Sequence, residues 1–188
     1  MKTAFIFHGT RGFPEENWFP WIKAELEKLS YRVFVPRFPT PEKQSLENWL
    51  DVFRKYGSNI DKDTIFISHS IGCAFALDIL ERIDRKISKC FLVAGFIGLL
   101  DIPDIDALNR TISDKEFNWK KIRKNCPKFI MFHSDDDIKV PLKKAEELKE
   151  KLNAELIIIK GAGHFNKASG YVQFEELLEK IIQTQTDL

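Results

Sequence analysis

No apolar run in this chain is long enough to cross a bilayer. The longest, Cys90 to Leu100, has 11 residues and stops at Asp101, whereas a spanning helix needs about 20; the run fits a buried strand and the loop after it. Cysteine is scarce. The three present (Cys73, Cys90, Cys126) are odd in number, widely spaced and free of any CxxC, so they read as reduced thiols and place the protein in the cytoplasm. Neither sign of charge dominates: 29 basic and 28 acidic side chains leave a formal net charge of +1. That balance gives no electrostatic reason to expect a nucleic acid or an anionic membrane as partner. The apolar stretch at 3–7 is too short for a secretory leader. No repeat, low-complexity tract or Pro/Gly/Ser-rich linker divides the 188 residues, which are expected to form a single domain, 1–188.

Six short runs, at 3–7, 31–35, 64–68, 88–94, 128–133 and 155–159, alternate with helix-like segments at 18–29, 46–56, 71–83, 116–123, 142–152 and 171–183. Several of the runs are apolar almost without alternation, such as Ile65-Phe66-Ile67 and Leu156 to Ile159, as strands covered on both faces should be. In the second helical segment Leu46, Trp49, Leu50 and Phe53 recur at helical spacing behind Ser45, a natural N-cap. The rhythm predicts an α/β fold: a three-layer sandwich around a mostly parallel six-stranded sheet with right-handed crossovers. The stretch 95–115 carries no clear element.

Ligands of such sheets bind beyond the carboxyl ends of the strands, so chemistry is sought just after each run. The third run leads through Ser68-His69-Ser70-Ile71-Gly72 directly into a helical pattern. Strand, tight turn and helix around a G-x-S-x-G-like sequence is the context of a nucleophile elbow, in which residues two away from the serine must be small. Gly72 satisfies this, and Ser68 stands where the first glycine is usual. On the motif alone, an ordinary strand-to-helix turn with a serine N-cap is the competing reading.

A serine hydroxyl needs a base. Of the four histidines, His164 sits in the flexible Gly161-Ala162-Gly163-His164-Phe165 loop after the last run, and the order serine, acid, histidine is that of α/β hydrolases. The acid is expected from Asp135, Asp136 or Asp137, which follow the fifth run; carboxylates not used there could cap turns. Two backbone N–H groups are needed for an oxyanion. Ile71, directly after Ser70, and Thr10, in the turn after the first run, are the candidates. That turn, His8-Gly9 with Gly12, is not followed by a Lys-Ser/Thr pair and no GxGxxG is present, so no nucleotide or other cofactor is expected.

The segment from Ala4 through His8-Gly9-Thr10 and Pro14-Glu15-x-Asn17-Trp18-Phe19-Pro20-Trp21 resembles the opening of a small serine-hydrolase family. That family is typified by the retinoblastoma-binding serine hydrolase and its bacterial relatives. The elbow, Ser134-Asp135-Asp136-Asp137-x-x-Val140-Pro141 and Gly163-His164-Phe165-Asn166 match it too, in the same order across essentially the whole chain. The resemblance implies a minimal, lidless α/β-hydrolase fold, a Ser-Asp-His triad and activity on small acyl esters. The family's acid stands four residues before the proline, which selects Asp137 through Pro141. The L-x-C-x-E motif tied to tumour-suppressor binding in the animal member is absent, so that partner is not carried over.

Phe13, Trp18 and Phe165 lie close to these motifs and are candidates for an acyl pocket, with Phe96 and the apolar stretch after it as a hydrophobic wall. Lys139, Lys143 and Lys144 read as a solvated helix face, and Cys73 as core. Two other function classes remain. His8, His69, His133 and the aspartates all follow strand-like runs and could converge on a metal, although no ligand spacing such as HExxH supports it. Alternatively, the fold could serve as a catalytically idle binding module.

Overall fold

The strand-like runs form β1 (Lys2–Phe7), β2 (Tyr31–Phe34), β3 (Ile65–His69), β4 (Lys89–Val93), β5 (Phe129–Ser134) and β6 (Glu155–Ile159). In the computed structural model, which describes residues 2–185, they make one sheet in the order β2-β1-β3-β4-β5-β6. Every neighbouring pair is parallel. Position 1 and positions 186–188 of the expected domain lie outside the described residues.

Helices α1 (Phe19–Lys28), α2 (Leu46–Arg54), α3 (Ile71–Arg82), α4 (Pro103–Ser113), α5 (Trp119–Asn125), α6 (Leu142–Leu152) and α7 (Glu175–Gln183) cover both faces. Strand alternation divides the core in two. Ala4, Ile6, Ile65, Ile67, Phe91 and Val93 point to one face, where Phe19, Ile22 and Leu26 of α1 and Leu177 and Ile181 of α7 close over them. Phe5, Phe7, Phe66, Cys90, Leu92 and Met131 point to the other, under α2 to α6. This is the expected three-layer α/β sandwich. The outer strand β6 departs from the doubly covered pattern, since Ile158 is half exposed.

The stretch 95–115 holds α4, which the sequence pattern did not reveal. Few apolar residues mark its buried side, and its start is set by local chemistry instead. Pro103 occupies the first turn, Asp104 and Asp106 supply acid there, and the Asp106 carboxylate accepts from Leu100 N and Ile102 N. Two helices begin later than expected. Asn118 caps α5 by accepting from Lys121 N, and α7 starts only at Glu175 because Asn166–Tyr171 is folded into a tight turn of its own.

Helix α3 is the centre of the second core layer, buried continuously from Ile71 to Leu80. Phe75 meets the rings of Phe7, Phe38, Trp49 and Phe53 at centroid distances of 4.9–6.0 Å. Truncating a core ring leaves a cavity lined by rigid aromatics, which collapse poorly. Phe75→Ala should therefore lower unfolding free energy by about 3–5 kcal/mol, read from urea denaturation; a loss under about 1 kcal/mol would show that these rings are not a packed core.

Candidate active site

Ser70 stands between β3 and α3 with φ 56° and ψ −127°, a region that L residues rarely occupy and that costs about 1–3 kcal/mol. Its amide donates to Val93 O at 2.9 Å, tying the turn to β4. The turn is also close to the end of β1: a Cβ at Gly72 would lie 2.6 Å from His8 O and 2.7 Å from Phe7 O. Only glycine fits there. Ser68, in place of the other usual glycine, is accommodated, but its buried hydroxyl has no partner among the described residues.

His164 lies in the loop after β6, which no regular hydrogen-bond ladder holds. Four consecutive side chains at the end of β5 and just after it, 134–137, hold it instead. Asp135 accepts from Gly161 N at 2.9 Å, Ser134 Oγ from Ala162 N at 2.9 Å, and Asp136 from Gly163 N at 2.8 Å. Asp137 Oδ2 then accepts from His164 Nδ1 at 2.8 Å, while its Oδ1 accepts from Lys139 N and Val140 N at 2.9 and 3.1 Å. The structure thus brings Asp137 to the imidazole, and Asp136 to the loop backbone. His69 adds a fifth anchor: its Nε2 lies 2.8 Å from His164 O, which makes that nitrogen the protonated one. With Nδ1 committed to Asp137, His164 Nε2 is left unprotonated in the neutral ring.

The turn after β1 brings Thr10 beside Ser70. A Cβ at Gly9 would sit 3.0 Å from Ser70 Cβ, so the two backbones nearly touch. Side chains from two other segments fix this turn. Thr10 Oγ1 donates to Asn109 Oδ1 on α4. Gln44 Nε2 reaches Asn109 Oδ1 at 2.8 Å and Thr10 Oγ1 at 3.1 Å. Thr40 Oγ1 accepts from Arg11 N at 2.7 Å and donates to Gln44 Oε1 at 2.5 Å. Neither Gln44 nor Asn109 carries a local signal in the sequence. Their roles follow only from the packing of α4 and the β2 loop over the turn.

Ser70, His164, Thr10 and Gly9 border one cavity of about 470 Å³. Phe96 is on its wall, with Leu100, Ile102 and Ile105 leading onto α4. The other three pocket candidates are elsewhere. Phe13 is exposed on the surface away from the cavity. Trp18 and Phe165 are wholly buried on the α1/α7 side of the sheet: the indole N–H donates to Phe165 O at 3.0 Å, and both rings pack on Phe174. They support the His164 loop from beneath because that face of the sheet is core. Lys139 also departs from expectation. It precedes α6 and borders the cavity, apart from Lys143 and Lys144 on the helix.

The histidines expected of a metal site are engaged with backbone. His8 Nδ1 lies 2.9 Å from Gly9 O, while its Nε2 accepts from Phe38 N at 3.0 Å, and His133 Nε2 lies 2.9 Å from Val140 O. Among the described residues no group of three or more His, Cys, Asp or Glu side chains is placed to hold a metal ion.

A strained serine after β3, a histidine after β6 and an acid after β5, around one cavity at the carboxyl edge of a parallel sheet, define an α/β hydrolase. The model of the serine hydrolase family matches residues 4–183, and the chain belongs to that family. YdeN of Bacillus subtilis strain 168 is 28% identical over 172 residues, covering 90% of this chain and 89% of that protein. Serine hydrolase RBBP9 of Rattus norvegicus is 27% identical over 166 residues, covering 88% and 84%. The crystal structure of the B. subtilis ydeN gene product superposes with a TM-score of 0.90 at 26% identity over 97% of this chain and 98% of that one. Est1E of Butyrivibrio proteoclasticus, bound to ferulic acid, shares the fold at a TM-score of 0.69 and 17% identity, covering 97% and 90%.

Burial governs the ionisation of the site. It pushes His8 down to about 4 and His69 to about 3, with the nearby His164 adding to the latter shift, and it lowers His133 as well. Burial alone would raise Asp137, but the His164 hydrogen bond and charge and the two amides outweigh it and hold the carboxyl below its usual range. The unfolded chain protonates His8 and His69 near 6.5, where the folded chain still excludes the proton. Stability from this source is therefore complete above pH 6.5 and falls as the pH drops towards 4. Unfolding free energy should fall by on the order of 2 kcal/mol per buried histidine between pH 6.5 and 5, measured by urea titration at each pH; a curve flat over that interval would contradict neutral, buried rings.

Proposed function

We propose that the protein is a serine esterase that cleaves small acyl esters through an acyl-enzyme on Ser70, with His164 as base and Asp137 as the acid that orients it. The observation that carries this reading is the pairing of two independent constraints on one cavity. The serine is held at φ 56° at the start of α3, and the imidazole facing the same space has its Nδ1 bound to a buried carboxylate. Core packing alone requires neither.

In this reading His164 Nε2 takes the Ser70 proton as Oγ attacks the carbonyl carbon. The oxyanion is held by the amides of Ile71 and Thr10. Ile71 is the first residue of α3, so its N–H has no acceptor within the helix and lies at the positive end of the dipole. Collapse of the adduct breaks the carbon–oxygen bond to the alcohol, which leaves with the proton from Nε2. Water deprotonated by the same nitrogen then releases the acid and restores Ser70. Asp137 stays ionised throughout and stabilises the imidazolium. Amides are the second substrate class open to the same machinery. The three cysteines are buried and unbridged, which agrees with work in the reducing cytoplasm.

A fluorophosphonate probe tests the reading directly. It should label the native protein at Ser70, and Ser70→Ala and His164→Ala should each lose labelling, with turnover of a butanoate ester falling on the order of 10⁴-fold or more. A folded native protein that takes no label would overturn the reading and favour a binding module. The clasp around Thr10 offers a finer test. Asn109→Ala releases the Thr10 hydroxyl and one Gln44 bond, letting the oxyanion turn relax. We expect kcat to drop roughly tenfold with KM little changed, since the lost alignment acts in the transition state. An effect confined to KM would show that Asn109 shapes the pocket instead of positioning the turn.

A further inference from the structure

The cavity wall is divided by chemistry. The side built from Phe96 and the α4 approach, Leu100, Ile102 and Ile105, is apolar. The lining also carries Lys139 and Lys167, with Arg11 in the turn after β1. One carboxylate, Glu16, faces these three cations. Among the described residues no Asp or Glu oxygen lies within 4.0 Å of the Arg11, Lys139 or Lys167 charge, whereas Lys115 and Arg82 elsewhere are closely paired. The carboxylates after β5 are engaged elsewhere: Asp137 with His164 and two amides, Asp135 and Asp136 with the amides of Gly161 and Gly163. The rim thus carries three cations against the single carboxylate of Glu16, a net positive field beside an apolar slot.

The mechanism gives these two sides an orientation. His164 must hand its proton to the leaving oxygen, so the alcohol portion of an ester lies on the imidazole side of the carbonyl carbon. Lys139 is two residues beyond Asp137, and Lys167 is three beyond His164, on the loops after β5 and β6 that carry the acid and the base. The acyl group is left to the apolar side, where α4 is bonded to the oxyanion turn through Asn109. From this we infer that the preferred substrate is an ester of an apolar acyl group with an alcohol that carries a negative charge, held on departure by Lys139 and Lys167. The inference rests on the serine-esterase reading above. In the step itself the ester and one water become a free carboxylic acid and the anionic alcohol, with the bond to the alcohol oxygen broken and its proton supplied by His164.

Two esters of matched size test it: the butanoate of 4-hydroxybenzoate, anionic on the alcohol side, and that of 4-hydroxybenzamide, neutral there. The ratio of their kcat/KM values should favour the anion roughly tenfold at low salt, as two cations at a solvated rim would give. It should approach one in 0.5 M sodium chloride, where surface charges are screened within a few ångströms, and likewise in the Lys139→Gln/Lys167→Gln double variant. The salt series on the native protein stands even if that variant folds poorly. A native ratio at or below one, or a ratio that neither salt nor the double variant moves, would overturn the inference while leaving the esterase intact. Failure of both esters together with absence of fluorophosphonate labelling at Ser70 would overturn the esterase reading itself, and this inference with it.

Discussion

The position of His164 depends on one set of contacts: the side chains of residues 134–137 accept from the three amides of residues 161–163 and from the imidazole of His164. The loop contains Gly161 and Gly163, both at positive φ, and glycine loses more freedom on ordering than any other residue. Without partners it would have no reason to hold a side chain in one place. The arrangement also explains why three adjacent carboxylates are tolerated after a buried strand. Each is given a separate set of N–H donors, so their mutual repulsion is offset by charge-assisted hydrogen bonds that would be costly to leave unmade. The acids are there for the loop as much as for the imidazole.

The frame of this arrangement was readable in the chain. Apolar runs covered on both faces announced a parallel sheet, and β6 and α6 fall at the expected residues, 155–159 and 142–152. The turn at Ser70 was legible because its steric demand falls on one nearby position: Gly72 faces the carbonyls of Phe7 and His8, and a glycine two residues after a serine is visible in any sequence. What was not legible depends on which face of the sheet a residue meets. Trp18 and Phe165 are near the site in the sequence, yet both pack on the α1/α7 face, where Phe174 waits. The wall comes instead from α4, whose sparse apolar pattern hid it. Asn109 and Gln44 were invisible for the same reason, since a polar residue acquires its partner only when distant segments meet.

Strain at Ser70 can persist because its neighbours leave no alternative. Helix α3 is buried along ten consecutive residues, and relaxing the serine would require either shifting that helix or breaking the bond from its amide to Val93 O. A strain of about 1–3 kcal/mol is comparable to the burial of one large aromatic side chain, and this layer buries several. The turn after β1 is constrained differently, by polar side chains from two other segments. Ser70 is thus fixed by the core, and the turn beside it by hydrogen bonds. Changes in solvent or at the surface reach the second more easily than the first.

That difference bears on where charge can act. Burial favours the neutral forms of His8, His69 and His133, and Asp137 is bonded to the imidazole. The cations of the lining, Lys139, Lys167 and Arg11, are all exposed at the rim. Exposed charges act weakly and are screened by salt, whereas the buried hydrogen bonds that align the imidazole are not. On the proposed reading, selection among substrates by charge and alignment of the reacting groups belong to different dielectric environments. The first can vary with ionic strength or with single surface substitutions, while the second stays fixed by the sheet and the loops bonded to it.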